Sequence, residues 1–118
     1  MVIINLLFVG VLFLNINTSS EQECYAFGYA ASLTTKTYYV SNLISVEKGT
    51  YWRGIENEWR EIFESEIGEA DGIAFNSIRV WTAGCNCKVI SKKRRSEIAE
   101  YKSKGYQILE VRFTYYGD

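Results

Sequence analysis

Three cysteines are the most reactive side chains of this 118-residue chain, and two of them are nearly adjacent. Cys85 and Cys87 are separated by one residue, while Cys24 lies far upstream. Two thiolates at this spacing could chelate a soft ion such as Cu(I) or act as a redox pair. A structural role is simpler: either a disulfide joins Cys24 to Cys85 or Cys87, or all three thiols are inert.

Histidine is absent, and its absence excludes several classes of enzyme. A Ser/His/Asp or Cys/His nucleophile needs imidazole as its base, and His-rich metal centres need it as a ligand. A closed zinc site needs four nitrogen or sulfur ligands, and the chain offers three thiols. We therefore predict a non-enzymatic protein without a cofactor or a bound metal.

A run of four cations, Lys92, Lys93, Arg94 and Arg95, is the clearest basic cluster. It could contact an anionic partner such as a protein or a cell-wall polymer. Nucleic acid is disfavoured, because the whole chain has a net charge of −1 and therefore no overall basic field. The alternative is a solvated helix face whose charges pair with acidic residues elsewhere in the fold.

Acidic residues dominate the segment 53–71, which has seven carboxylates and two arginines. Glu69, Asp71 and Gly72 have some features of a calcium loop, whereas paired catalytic carboxylates would need one desolvated member. A solvated helix face explains the segment more simply. The segment 88–104 carries seven cations and two carboxylates, so we expect the two segments to lie side by side and to compensate each other.

Aromatic residues are abundant, with nine Tyr, six Phe and three Trp. Several tyrosines fall on predicted strands, where this residue type is favoured in any case. A sheet face that no helix covers would expose them as a platform for a sugar, a peptide or another protein. The candidate binding tyrosines are Tyr25, Tyr29, Tyr39 and Tyr116.

The first twenty residues differ from the rest of the chain. They contain no charge, and all 13 Lys and Arg and all 14 Asp and Glu lie after Ser20. Their apolar stretch is shorter than the ~20 residues of a membrane span and suits a secretory signal, although no Lys or Arg precedes it. We predict cleavage near Ser20, a mature domain of residues 21–118 without a stable membrane span, and a secreted or periplasmic location. An uncleaved short anchor is the alternative.

Hydrophobic periodicity predicts four strands and two helices in the mature chain. Large and small side chains alternate over 24–32, which predicts a strand with one bulky face and one bare face that a helix can approach closely. A second strand over 37–46 follows after a short turn, so the two form an antiparallel hairpin. The other predicted elements are a helix over 51–68, a strand over 72–83 with a bulge near Asn76 and Ser77, a helix from Ser91 to Gly105, and a C-terminal strand.

The order strand, strand, helix, strand, helix, strand predicts a single small α+β domain. The most economical arrangement is a four-stranded, largely antiparallel sheet with both helices packed on one face. This arrangement would leave the other face free for binding and would place the acidic helix beside the basic helix.

The segment EIAEYKSKGYQILEVRF, residues 97–113, resembles the last helix and strand of sporulation-related repeat domains. A basic helix, a Lys-Gly turn and an apolar strand carry this resemblance. It implies binding to the cell wall. The two strands before the first helix depart from the strand order of that family.

These patterns predict an exported, non-enzymatic interaction module that contacts a protein or a cell-wall glycan through an aromatic sheet face or the basic second helix. Two other functions stay open. One is a thiol redox or soft-metal protein centred on Cys85 and Cys87. The other is an immunity or inhibitor protein whose acidic helix covers a basic active site. No pattern in the sequence decides the oligomeric state.

Overall fold

A computed structural model describes residues 23–67, 73, 77–82 and 86–116 of the chain. Within these residues the chain forms five strands and two helices. In chain order they are β1 (Glu23–Ser32), β2 (Thr37–Ser41), β3 (Ile44–Glu47), α1 (Trp52–Glu66), β4 (Arg79–Thr82), α2 (Cys87–Ser103) and β5 (Gln107–Val111).

Three of the predicted features lie outside the described residues. They are the signal segment 1–20, the candidate calcium loop at 69–72, and the bulge at Asn76. Among the helices that the structure describes, none is both long and apolar enough to cross a membrane.

β1 is the central strand of one mixed sheet. β2 and β3 pair antiparallel with different halves of one edge of β1, and β4 pairs antiparallel with its other edge. β5 pairs with β2 in the parallel direction. The predicted hairpin of the first two strands is therefore present, whereas the last strand runs parallel to its neighbour.

A bulge interrupts the strand that the sequence predicts over 37–46. In β1, Ala26 and Tyr29 are three residues apart in the sequence. Their pairing partners, Ile44 and Val40, are four residues apart, so the partner strand contains one extra residue. The extra residue reverses the face of the sheet to which the following side chains point. Val40 and Ile44 lie in two different buried clusters for this reason.

The bare face of β1 receives α1, as its small side chains predict. Ala26 and Ala30 are fully buried beneath the helix, and the ring of Trp59 lies directly on Gly28. A Cβ atom at position 28 would collide with this ring. The indole nitrogen of Trp59 also donates a hydrogen bond of 3.3 Å to the backbone carbonyl of Tyr29. These contacts fix α1 against the sheet.

The bulky face of β1 receives α2. Phe27 is fully buried there, together with Tyr38, Val40 and Ile90. The ring of Tyr101 stacks on that of Tyr38, with centroids 4.1 Å apart and 9° between the planes. Because successive residues of a strand point to opposite faces, α1 and α2 lie on opposite sides of the sheet.

The predicted α+β class is confirmed, but three details of the predicted arrangement are wrong. The described sheet has five strands rather than four, because the bulge divides the second predicted strand into β2 and β3. The helices do not share one face, because both faces of β1 are apolar and each needs its own cover. The sheet is mixed rather than largely antiparallel, because β5 joins the edge of β2 in the parallel direction. Since the sheet separates the helices, no ion pair joins α1 to α2 among the described residues.

The N-terminus of α2 also differs from the prediction. Asn86, rather than Ser91, caps this helix, and its side-chain oxygen accepts hydrogen bonds from the N–H groups of Lys88 and Val89 at 2.9 and 3.2 Å. The helix therefore begins at Cys87. The predicted basic cluster lies in its second turn rather than in its first.

Candidate binding surfaces

Two clefts lie on either side of the turn between β3 and α1, and we call them the aromatic clefts. Their volumes are about 360 and 600 Å³. Thr50 closes the turn, because its hydroxyl and its N–H both donate hydrogen bonds to the carbonyl of Glu47, at 2.6 and 3.1 Å. Gly49 has a φ of 90°, which favours glycine. Residues 46–51 line both clefts. The first cleft, of about 360 Å³, is also lined by Cys24, Tyr25, Trp52, Ile55 and Thr82. The second cleft, of about 600 Å³, is also lined by Ser45, Tyr115 and Tyr116.

Exposed aromatic side chains stand at these clefts. Tyr51, Trp52 and Tyr116 have exposed fractions of 63%, 39% and 87%. The rings of Tyr51 and Trp52 have centroids 6.0 Å apart, and the guanidinium of Arg53 lies 5.2 Å from the centre of the Trp52 ring. The N–H of Tyr116 donates a hydrogen bond of 3.3 Å to Glu58, which links the C-terminal segment to α1. Large aromatic side chains in a concave, exposed setting are typical of binding sites.

The four tyrosines that the sequence singles out are dispersed. Tyr116 and Tyr25 line the aromatic clefts. Tyr39 is 5% exposed and packs edge-on against Phe63, with ring centroids 5.1 Å apart. Tyr29 is half-buried on the face that α2 covers. The expectation of an aromatic sheet face without a helix is wrong, because each face receives one.

Three tyrosines meet beneath α2. The ring of Tyr38 lies 6.5 Å from that of Tyr29 and stacks on Tyr101. Burial raises the pKa of Tyr29, Tyr38 and Tyr101 above its ordinary value. The hydroxyl of Tyr38 has no hydrogen-bond partner in the described part of the chain. These phenols therefore stay neutral and act as core side chains.

Two cations of the predicted basic cluster turn toward the sheet. The Lys93 ammonium lies 4.4 Å from the centre of the Trp81 ring. Arg94 donates one hydrogen bond of 2.8 Å to the carbonyl of Ser41 and forms an ion pair of 3.1 Å with Glu110. These two side chains attach α2 to the sheet and are not free for a ligand.

The other two cations of the cluster face solvent and belong to a longer row. Lys92 and Arg95 are exposed, and so are Lys88 and Lys102 on the same side of α2. None of the four forms an ion pair with a described residue, and Arg95 donates one hydrogen bond of 2.8 Å to Ser91. We call these four side chains the basic stripe.

A buried carboxylate links α1 to β4. Glu56 is 4% exposed, accepts a hydrogen bond of 3.0 Å from the N–H of Val80, and pairs with Arg60 and Arg79 at 3.2 and 3.4 Å. Arg60 also donates a hydrogen bond of 2.8 Å to the carbonyl of Ile78. The partners of Glu56 are protein groups that hold an edge strand, so we assign this carboxylate a structural role.

The cysteines are only partly within the described residues. Cys87 is an exposed, free thiol at the first residue of α2, so the predicted pairings that use it are not formed. Cys24 is half-buried beside the first aromatic cleft. Cys85 lies outside the described residues, and its pairing with Cys24 stays a prediction. No group of three or more His, Cys, Asp or Glu among the described residues could hold a metal ion.

The aromatic clefts are the feature that the sequence patterns miss. From the sequence, Trp52 is predicted to be one of the regularly spaced apolar residues of the helix over 51–68. Tyr51 is predicted only to be the first residue of that helix. The clefts form where the turn 47–50 meets the strand ends and residues 115–116, which are distant in the chain. Two aromatic residues directly after a Gly-Thr turn are the one local signal that points to this site.

No protein-family model, curated protein or solved structure matches this chain.

Proposed function

We propose that this protein is an exported, non-catalytic module that binds a protein partner at the aromatic clefts. The observation that carries the proposal is the set of three exposed aromatic side chains, Tyr51, Trp52 and Tyr116, beside two concave surfaces. Trp and Tyr are enriched among the few residues that dominate protein interfaces, and so is Arg. Arg53, which stacks on Trp52, adds this third type.

The clefts are also well supported, which favours binding. Thr50 and Glu47 close the turn between them with two hydrogen bonds. Tyr51 and Trp52 stand at the first residues of α1, a helix that Trp59 anchors to the sheet. A surface that is held in place before binding loses little conformational freedom on association.

The chemistry of the clefts supports a non-catalytic role. The chain contains no histidine. Glu47, the carboxylate that lines both clefts, is exposed. An exposed carboxylate among aromatic side chains is better suited to orienting a partner.

Export rests on the uncharged segment 1–20 and on predicted cleavage after Ser20. In an oxidising compartment we expect Cys24 to pair with Cys85. Thr82, the last residue of β4, pairs with Ala26, so β4 ends near the Cys24 end of β1. Cys87 is free in the structure and does not compete for this bond.

The mass of the exported protein tests this part of the proposal. We expect a chain that starts at Glu21 and gains the mass of two hydrogen atoms on reduction. Full-length protein with three free thiols would contradict both export and the disulfide.

Binding at the clefts can be tested by cross-linking in the cells that make the protein. A photoreactive amino acid at position 51 should form an adduct with one protein, while the same amino acid at Leu33, an exposed apolar residue in the turn after β1, should not. With the purified partner, Trp52→Ala should weaken binding by about 30-fold or more, because hot-spot residues contribute about 2 kcal/mol. Leu33→Ala should change it less than twofold.

Two results would overturn a protein partner. Adducts that form equally from positions 51 and 33 would show that the clefts have no special role. Adducts with polysaccharide alone, with affinity for that polysaccharide lost in Trp52→Ala, would show that the clefts bind a glycan instead.

A further inference from the structure

We infer that the basic stripe of Lys88, Lys92, Arg95 and Lys102 is a second binding surface, and that it binds a flexible linear polymer of phosphate or carboxylate groups. None of the four stripe residues lines either of the aromatic clefts. The two surfaces could therefore be occupied together. A module with both would attach its protein partner to an anionic polymer.

The charge of the stripe is not compensated within α2. The two carboxylates of this helix are already paired with other cations, Glu97 with Lys93 at 3.2 Å and Glu100 with Lys104 at 3.3 Å. The stripe itself has no acidic partner among the described residues. Four exposed positive charges therefore remain for an external anion.

The shape of the stripe fits a linear ligand. From Lys88 to Lys102 an α-helix rises about 21 Å, at 1.5 Å per residue. The cations follow one another along a single side of the helix, and the side chains beside them are small and uncharged. These neighbours are Ser91, Ser96, Ala99 and Ser103. An extended polymer can therefore approach along the whole row without a steric barrier.

The position of Lys88 supports a functional use of the charge. This residue lies in the first turn of α2, where the helix dipole makes a cation unfavourable. It has no ion pair with a described residue that would compensate for this position. A bound anion would supply the missing partner.

Membranes and nucleic acids fit the stripe less well. A helix that lies in a membrane surface needs an exposed apolar face, whereas α2 buries Ile90 against the sheet and exposes one large apolar side chain, Val89. Proteins that bind single-stranded nucleic acid use aromatic side chains to stack the bases. Beside α2, the Trp81 ring is covered by Lys93, and the Tyr101 ring is stacked on Tyr38.

Binding of inorganic polyphosphate and poly-glutamate to the folded protein tests the inference. Affinity is measured by fluorescence anisotropy over a range of salt concentrations, with duplex DNA and anionic phospholipid vesicles as competitors. Since each contact releases counterions, log Kd should rise with log salt with a slope of about 3 for four contacts. K88Q/K92Q/R95Q should weaken binding at least tenfold and reduce the slope to about 1.

A matched variant separates the stripe from the total charge. K36Q/K48Q/R112Q also removes two lysines and one arginine, but from exposed positions outside α2. It should change the affinity less than threefold. Trp52→Ala should leave polymer binding unchanged, so this test does not depend on the function of the clefts.

Three results would overturn the inference. Equal losses in the two triple variants would show an effect of net charge alone. Failure to bind either polymer at low salt would remove the proposed ligand class. Tighter binding of duplex DNA or vesicles through the same three residues would assign the stripe to a different partner.

Discussion

The two helices are attached to the sheet in different ways. α1 has 15 residues and buries Ile55, Trp59 and Phe63 almost completely. α2 is longer, with 17 residues, yet Ile90 is its one fully buried side chain. On the α1 face, β1 presents Ala26, Gly28 and Ala30, and the large ring of Trp59 lies against them. On the α2 face, β1 and β2 present the larger side chains of Phe27 and Tyr38.

This difference separates stability from surface chemistry. α1 is held by the hydrophobic effect, which is the dominant favourable term in folding. α2 depends more on aromatic stacking, on its Asn86 cap and on the hydrogen bond from Arg94 to the sheet. Much of its circumference is therefore exposed, and that circumference carries the basic stripe.

Trp59→Ala should cost about 3–5 kcal/mol of unfolding free energy, because it leaves a large cavity on the α1 face. Ile90→Ala on the α2 face should cost less, about 2–3 kcal/mol. Urea unfolding followed by circular dichroism measures both values. If Ile90→Ala were as destabilising as Trp59→Ala, the proposed contrast between the two faces would be wrong.

Gly28→Ala should destabilise the protein by about 2–3 kcal/mol, since the new Cβ atom would overlap the Trp59 ring. The effect should depend on that ring. In a double-mutant cycle, Gly28→Ala should lower the free energy of unfolding of a Trp59→Leu protein by no more than half of the loss that it causes in the unmodified protein. Strictly additive losses would show that the glycine is required for some other reason.

Asn86→Ala should lower the unfolding free energy by about 1 kcal/mol, because it removes the side chain that caps α2. α1 has no side-chain cap at Tyr51, so Tyr51→Ala should change stability by less than about 0.5 kcal/mol. Hydrogen exchange at the first turn of α2 checks the local effect. Unchanged protection there in Asn86→Ala would contradict a role of the cap in holding α2.

Tyr38→Phe should change the free energy of unfolding least at neutral pH. We expect an increase of no more than about 1 kcal/mol, because the hydroxyl that it removes has no hydrogen-bond partner among the described residues. Its larger effect should appear in alkali. Burial raises the pKa of Tyr38 in the folded protein, while the unfolded chain ionises near the ordinary pKa of about 10. Ionisation of Tyr38 therefore leaves the free energy of unfolding unchanged below about pH 10 and lowers it above that pH, where the unfolded chain loses the proton first.

Thermal unfolding between pH 8 and 11 measures this difference. Tyr38→Phe should lose stability less steeply above pH 10 than the unmodified protein does. Tyr116→Phe is the matched control, because Tyr116 is 87% exposed and should leave the profile unchanged. Parallel profiles for all three proteins would contradict the role assigned to Tyr38.

Local patterns in the sequence are sufficient for part of this fold. The alternation of Tyr25 and Phe27 with Ala26 and Gly28 predicts the strand and its bare face, because side-chain size is a property of the residues themselves. The ring of Trp59 lies on that face. The hairpin follows from a short turn between two strands. The α1 helix follows from a regular apolar spacing.

Nonlocal contacts decide the rest. The bulge after Ser41 moves Ile44 to the opposite face from Val40, and the polar pair Ser41 and Asn42 is its one local signal. Which helix covers which face depends on how the whole sheet is assembled. Tyr51 lines the second aromatic cleft together with residues 115–116, which are distant from it in the chain.

The parallel pairing of β2 with β5 also determines the order in which the molecule can fold. Thr37 pairs with Gln107, so the outer edge of β2 has no partner from β5 until almost the whole chain is available. Contacts between such distant segments form slowly, because a long loop has to close first. The hairpin of β1 and β2 can form early, but β2 gains its second neighbouring strand only when residues 107–111 have been made. Until then, the outer edge of β2 is open to pairing with another chain and therefore to aggregation.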